Sequence, residues 1–553
     1  MSTEKQTDAK ISRRDFVKTG ASVGLGATAL AGLVNSEAEA QGSIQDWDLT
    51  ADFVVVGAGT AGLAGAVSAL DHGASVIMVE ENYDIGGHGI VSGGNVNLGG
   101  GTTRQRKYGV EDSADQVFED WTNHEQLQSR YSDREMVRTF ADENAATFEW
   151  LVENGVDFQD HVLGGGNMPQ RQGRSNQWPI YEELITSHPS RVGSGVVRAL
   201  ERSARNKGAE ILLLHKMTSL VREAPTSGRV LGIVVVHEGA EVRIRGTRGV
   251  LLATGGHTSN VLFRRIFDPR LTEEYQVAGE PYSKQTADGE LAAMAVGASL
   301  WSTANQTVEA GNWISKAAHI GTPWGYGNLV WLPDSPMFDQ TPGSGLSAVD
   351  WQNAIMVTEM GRRFHNEIGG GHDFYNAALA YHGNPNKLDG GGPIWAIFDA
   401  EAVARQRWDP TPPYIKPDSD WFFNADTIAG LASRIRNPHQ KIPTPPAVLE
   451  ETVARYNSFV DSGTDEDFGK PTPRNKIQTP PFYAAWSTPI LHDSLTGLRT
   501  NTRAQVMDLQ GGVISGLYCA GETQGGFAQH GLGRCLVFGR VAGRDAALNG
   551  GEV

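Results

Sequence analysis

Cysteine is the residue this chain almost lacks. Of its 553 residues only two are cysteines, Cys519 and Cys535, and neither falls in a CxxC or CxxCH arrangement. That excludes a cysteine-based zinc site, a c-type haem attachment and a disulfide framework. A single Cys519–Cys535 bridge is conceivable in an oxidising compartment, but two small buried thiols are the simpler expectation. Positive charge is also scarce: 47 Lys and Arg stand against 64 Asp and Glu, a formal net charge of −17. Such a balance argues against a nucleic-acid partner and otherwise serves solubility. No apolar run is long enough to span a membrane, the segment Thr19–Val34 being short and rich in glycine and alanine. Internal repeats and low-complexity tracts are absent too. What remains is a chain long enough, at 39% hydrophobic residues, for two or three domains with substantial cores.

The N-terminus reads as an address. Ser12-Arg13-Arg14-Asp15-Phe16-Val17-Lys18, the weakly apolar run after it, and Ala38-Glu39-Ala40 before Gln41 resemble a twin-arginine export signal over residues 1–40. The resemblance implies a periplasmic protein that folds around its cofactor in the cytoplasm and crosses the membrane folded.

The most informative stretch follows. Asp52-Phe-Val-Val-Val-Gly57-Ala-Gly59-Thr-Ala61-Gly62, a helix-like run and Val76-Ile-Met-Val-Glu80 spell strand, glycine turn, helix and second strand ending in an acid. Gly57 permits the tight turn, Gly59 lets backbone N–H groups approach a pyrophosphate, and Gly62 lets helix and strand pack closely. The helix N-terminus favours phosphate, and Glu80 lies where an acid bonds ribose hydroxyls. A lone GxGxxG is weak evidence among 67 glycines, but the flanking strands and acid point to a dinucleotide, FAD or NAD.

Further along, Glu111–Asn154 reads as surface helices, Val196–Arg205 as a helix, and Gly208–His215 as a strand of the main sheet. Val230–His237 and Glu241–Arg245 read as two strands, and Gly249–Gly256 as a buried strand ending in a glycine pair. From about Trp301 the composition changes: eight of the 13 tryptophans (301, 313, 324, 331, 351, 395, 408 and 421) fall in the middle section, which has no long helical pattern before Pro446–Val460. Strand patterning returns at Val513–Glu522, before a closing helix from Leu536. The expected division is 1–40 signal, 49–300 first part of a nucleotide-binding domain, 301–479 an inserted domain, and 480–553 its second part.

Gly86-Gly-His-Gly-Ile-Val-Ser-Gly-Gly-Asn-Val-Asn97, with Ala253-Thr-Gly-Gly256, Thr286-Ala-Asp-Gly289, Gly361-Arg-Arg-Phe-His-Asn-Glu367, Pro481-Phe-Tyr-Ala484 and Gly516-Leu-Tyr-Cys-Ala-Gly-Glu522, resembles the FAD-binding superfamily of fumarate reductase flavoproteins and 3-ketosteroid Δ1-dehydrogenases. The resemblance implies an α/β fold: a Rossmann-like FAD-binding domain in two sequence segments with an inserted α+β capping domain and the active site at their junction. The FAD set it implies is Gly57, Gly59, Ala61, Gly62, Glu80, Glu81, Gly86, Gly87, His88, Ser92, Gly93, Gly94, Met217, Ala253, Thr254, Gly255, Asp288, Gly521, Glu522 and Leu536, with no metal. Asp288 and Glu522 would bond cofactor hydroxyls. Noncovalent FAD is expected, with a histidyl bond through His88 as the alternative, because histidine at this place carries FAD covalently in some members.

Arg363 matches an arginine that resembles the proton donor of soluble fumarate reductases; the alternative is an ion pair, since a guanidinium is a poor acid in water. The C-terminal loop departs from both subfamilies. Gly526-Phe-Ala-Gln-His530-Gly-Leu-Gly533-Arg534 puts Gly531 where fumarate reductases carry a carboxylate-clamping arginine, and the ketosteroid enzymes' tyrosine is missing. Asp493-Ser-Leu-Thr496-Gly497 likewise replaces a His-Thr-x-Gly-Gly segment. His530 and the Gly533 N–H are therefore the expected contacts of a substrate oxygen, with Tyr483 a second acid or base. The function expected is an exported FAD-dependent dehydrogenase acting on a C–C bond beside a carbonyl of a bulky, partly apolar small molecule. One alternative is a periplasmic enoate reductase fed by a separate cytochrome; another is a non-catalytic flavin protein for electron transfer or partner binding. Electrons would pass to or from a separate cytochrome or quinone-linked partner.

Overall fold

The computed structural model describes residues 46–123, 132–158, 174–176, 193–280, 282–302, 312–316, 319–322, 346, 350–369, 374, 377–378 and 393–551. Contacts divide the chain into Met1–Asp46 and the compact unit Trp47–Val553. The expected export segment, residues 1–40, lies outside the described residues, as do Trp324 and Trp331.

The compact unit opens on the βαβ motif. Leu49–Val56 (β1) is a valine-rich strand, Thr60–Asp71 (α1) a helix of small residues buried through most of its length, and Val76–Val79 (β2) a fully buried apolar strand. β2 pairs in parallel with β1, placing Val56 beside Val79, and on its other edge with Glu210–Leu212 (β3). β1 pairs in parallel with Ala240–Leu252 (β4), which pairs in parallel with Val513–Cys519 (β5). Continuous apolar runs of this kind suit parallel strands covered on both faces. The result is an eight-stranded sheet whose path runs Gln505–Met507, β5, β4, β1, β2, β3, with Ser227–His237 paired antiparallel to β4 and Lys216–Ala224 paired antiparallel to Ser227–His237. This sheet and its helices form the α/β, Rossmann-like fold expected from the motifs, built from an early and a late piece of the chain.

Two local expectations change. The runs Glu241–Arg245 and Gly249–Leu252 form one strand, because Gly246 keeps its pairing with Ala51 and a bulge takes up the irregularity before Phe53. The helices of 111–154, Ala114–Asn123 and Arg134–Glu153, are not merely superficial: Val117, Trp121, Val137, Phe140 and Leu151 carry one face of each into the core.

The closing helix, Leu532–Asn549 (α2), starts four residues earlier than expected and packs on α1 nearly backbone to backbone: a Cβ on Gly543 would lie 2.0 Å from the Gly65 carbonyl oxygen. A second, antiparallel sheet runs Ile355–Thr358, Ile394–Asp399, Phe482–Trp486, Phe422–Ala425. Phe482–Trp486 was expected in the section beginning at 480, yet it pairs on both edges with strands of the middle section. All five of its residues are buried, and pairing on both edges satisfies the backbone groups that such burial takes from water. Among the described residues no helix is long and apolar enough to cross a membrane.

Candidate functional site

The turn between β1 and α1 shows why glycine recurs there. Gly57 has φ +95, and a Cβ on it would meet the Ala253 carbonyl oxygen at 2.3 Å; one on Gly62 would meet the Gly57 oxygen at 1.9 Å. Both are therefore fixed by the protein's own packing. Gly59 differs: its φ is ordinary and a Cβ there would approach nothing closer than 3.8 Å, so the space beside it belongs to a cavity. That cavity, about 340 Å³, is walled by Gly57, Gly59, Ala61, Glu80, Glu81, Gly86, Gly87, His88, Ser92, Met217, Ala253, Thr254, Gly255, Asp288, Gly521, Glu522 and His530 from the expected set. Neither α1 nor α2 has a side-chain cap, and Gly59, Thr60, Gly531 and Leu532 at their N-termini line the same space. Unsatisfied N–H groups at two helix starts favour an anionic ligand such as a pyrophosphate.

The charged wall has internal partners. Glu80 accepts from the Ala58 N–H at 2.8 Å and the Asn82 N–H at 3.0 Å. Burial raises its pKa and outweighs these bonds. Lys216 bridges Glu81 at 2.7 Å and Asp288 at 3.0 Å. His88 Nδ1 lies 2.8 Å from Gln285 Nε2 and 3.3 Å from Glu522 Oε1, while Glu522 Oε2 accepts from Gln285 and from the Ser494 N–H. Burial alone would depress the His88 pKa, but the Glu522 carboxylate and the Asp493 charge prevail and raise it. The glycine cradle, the two uncapped helix starts and the buried Glu80 together fit FAD.

Beside these lies the feature that sequence order concealed. His530 Nδ1 sits 2.6 Å from Asp493 Oδ1, and both residues line the cavity with His492. Burial would raise the Asp493 pKa, but His530 and Arg534 hold it well below the usual carboxylate range. His492 contacts the His530 ring edge-on at 5.7 Å, and burial with the His530 charge pushes its own pKa down to about 3. Lys216, Gln285, His492 and Asp493 were not anticipated; Lys216 adjoins the expected Met217, whereas Asp493 is 37 positions from its partner. Arg534 is buried at 1% exposure and donates to the Phe527 and Ser494 carbonyls.

Other expected residues lie elsewhere. Arg363 is not in this wall. It donates to Glu367 Oε1 at 2.7 Å and Asp465 Oδ2 at 2.8 Å, with Tyr456 and Phe468 rings over its guanidinium. A buried guanidinium paired with two carboxylates is held fully charged, its pKa raised despite burial. Tyr483 stacks on Phe398 at 5.3 Å and contacts Phe422, inside the small sheet's core. Gly533 is one residue inside α2, packed against Asn97 and Gln529, and Gly531 and Leu532 occupy the wall instead. Gly62, Gly93, Gly94 and Leu536 are also outside the lining, Leu536 being wholly buried in α2. Trp351, Trp395 and Trp408 are buried in the small sheet's own core and do not line the cavity. Neither cysteine is bridged; Cys519 is buried and Cys535 reaches the cavity, where burial pushes its thiol up to about 12. Among the described residues no cluster of His, Cys, Asp or Glu could hold a metal.

Comparison with known proteins agrees with this geometry. The family described as FAD binding domain matches residues 52–533. A probable fumarate reductase of Shewanella frigidimarina is 28% identical over 90% of this chain and 75% of its own length. The acrylate reductase flavoprotein subunit of Shewanella woodyi is 27% identical over 97% of this chain and 98% of its own. Among solved structures, the 3-ketosteroid Δ1-dehydrogenase of Sterolibacterium denitrificans, bound to 1,4-androstadiene-3,17-dione, superposes with a TM-score of 0.67 over 90% of this chain and 99% of that one, at 21% identity.

Proposed function

From a chain that belongs to the FAD binding domain family and is an FAD-dependent oxidoreductase, we infer catalysis at a C–C bond conjugated to a neutral carbonyl, with His530 moving the proton. The observation that carries the reading is the 2.6 Å contact between His530 Nδ1 and Asp493 Oδ1 in the wall of the cofactor cavity. Bound FAD supplies the two-electron centre that gives or takes a hydride. Asp493 accepts from Nδ1 and fixes the ring's orientation and tautomer, so Nε2 is the nitrogen that exchanges a proton with the substrate. His492, kept neutral, places no second charge beside that ring.

A neutral carbonyl is preferred to a carboxylate on charge grounds. Among the described residues no arginine lines the cavity, Lys216 is already shared between two carboxylates, and Lys284, the other lysine of the described wall, is exposed to solvent. Reduction is the preferred direction, since both of the curated relatives described above carry reductase names. Dehydrogenation of a saturated ketone is the same reaction reversed. A bulky substrate loses one support, because Trp351, Trp395 and Trp408 fill the small sheet's own core. The two-segment flavin domain with a cap, its boundary moved past Trp486, belongs to this proposal, as do export through residues 1–40 and a separate cytochrome or quinone-linked electron partner.

The test is transient kinetics on the holoprotein. Reoxidation of dithionite-reduced flavin by a cyclic enone, at least tenfold faster than by fumarate, is expected. Rapid reoxidation by fumarate alone would overturn the neutral-carbonyl reading.

A further inference from the structure

Gln285 cannot satisfy both of its neighbours in every protonation state. It is 1% exposed, and its Nε2 lies 2.8 Å from Glu522 Oε2 and 2.8 Å from His88 Nδ1. A carboxylate only accepts, so Glu522 fixes which end of the amide is nitrogen, and the Thr258 hydroxyl donates to Oε1 at 2.7 Å on the other side. The second N–H of Gln285 therefore points at His88 Nδ1, which accepts it only when that nitrogen carries no proton.

Once Nδ1 is protonated the arrangement changes. Its proton goes to Glu522 Oε1, 3.3 Å away, and the Gln285 N–H that faced it is left without an acceptor. Two states thus exclude one another: a neutral ring held by Gln285, or a charged ring held by Glu522. The other edge of the ring is common to both, since Nε2 faces the 278–279 backbone and the ring donates to the Ala278 carbonyl. Burial opposes the charged state, whereas Glu522 and the charge of Asp493 favour it. Of the other titratable groups around the ring, His492 and Cys535 are held neutral and His530 is turned onto Asp493. Glu280 and Lys284 of the facing segment 278–285 oppose one another in sign, and the short helix Gly87–Ile90 that carries His88 has no acid in its first turn.

We propose that His88 is a redox-linked proton site, neutral beside oxidised FAD and protonated when the cofactor is reduced, its Nδ1 passing from Gln285 to Glu522. Two electrons taken up with one proton add one negative charge to FAD, and in a buried cavity that charge favours protonation of a nearby imidazole. His88 lines the cavity, and Asp493 of the proton-handling pair acts on it directly, which places it toward the reacting end. The balance closes over a cycle. The reduced state holds two electrons and two protons, one proton on the cofactor and one on His88. Saturating a C–C double bond consumes two of each, so the site returns to its starting charge. This holds for any such substrate and rests only on FAD occupying the cavity.

The experiment is reductive titration of the FAD-loaded full chain with dithionite, a reference redox dye fixing the midpoint potential at each pH between about 7 and 9. Wild type is expected to show the pH slope of two protons per two electrons, and His88→Gln that of one. Gln285→Met removes the amide that holds the neutral ring, so the histidine stays charged in both redox states and the slope again falls to one proton. A merely structural role for His88 predicts altered FAD affinity with the slope unchanged. A one-proton slope in wild type, or a two-proton slope retained in His88→Gln, would overturn the proposal. Should His88→Gln not hold FAD, Gln285→Met decides: a retained two-proton slope rejects the switch and a one-proton slope supports it.

Discussion

His530 turns Nδ1 onto Asp493 Oδ1 at 2.6 Å, so an acid 37 positions away decides which face of the imidazole a ligand meets. His530→Ala should lower kcat/KM by roughly 10²-fold, the usual worth of a positioned proton-transfer group. Asp493→Asn should lower kcat with FAD occupancy unchanged, because it disturbs ring orientation and not the cradle. Equal kcat in wild type and Asp493→Asn, measured under saturating enone, would remove His530 from the mechanism.

The same acid makes a stability prediction with a definite sign. Its folded pKa is depressed below the ordinary 3.8, chiefly by His530 and Arg534 against the opposing effect of burial. A depressed carboxylate contributes stability above its unfolded pKa and loses it as pH falls through the folded value. The stability gap between wild type and Asp493→Asn should therefore persist from neutral pH down to about 4 and narrow only in stronger acid. Thermal unfolding across that range reads it directly.

Gly59 and Gly57 separate cofactor binding from folding. Gly59→Ala places its methyl in the open cavity, 3.8 Å from the nearest protein atom, so the apoprotein should fold normally and bind FAD at least roughly tenfold more weakly. Gly57→Ala drives a methyl to 2.3 Å from the Ala253 oxygen at φ +95 and should impair folding itself. Flavin absorbance alongside circular dichroism distinguishes the two.

How much of this was legible in the sequence follows from the range of each signal. The βαβ unit was readable because its strands, glycines and closing acid are local and adjoin in the chain. Glu80, His88, Asp288 and Glu522, which line the cavity, were legible for the same reason, each sitting inside a short motif. Arg363 also sat in a motif, but motif membership does not say which way a side chain points, and Glu367 at i+4 with Asp465 drew it into the interior. Asp493 was read only as a missing histidine, since no local pattern links it to His530.

Arg363→Ala should remove roughly 3–5 kcal/mol of stability, the cost of stranding buried carboxylates, here Glu367 and Asp465. Turnover per folded, flavin-loaded molecule should change little. A urea titration with activity normalised to bound flavin checks both halves, and a selective loss of turnover would restore Arg363 as a proton donor.

Acid precipitation should release the flavin into the supernatant. His88 Nδ1 is engaged by Gln285 and Glu522, and a Cβ on Gly279 would lie only 2.9 Å from Nε2, so neither nitrogen is presented openly for a covalent bond. Yellow colour remaining with the pellet would contradict this.

The strand that leaves the small sheet at Trp486 re-enters pairing at Ile490 and reaches Asp493 three residues later. Trp486 packs against Trp395 within the small sheet, and Asp493 lines the cofactor cavity. Eight residues, Trp486 to Asp493, thus tie the small sheet covalently to the His530–Asp493 pair. A substitution that repacks Trp486 is therefore separated by only seven peptide bonds from the acid that orients His530.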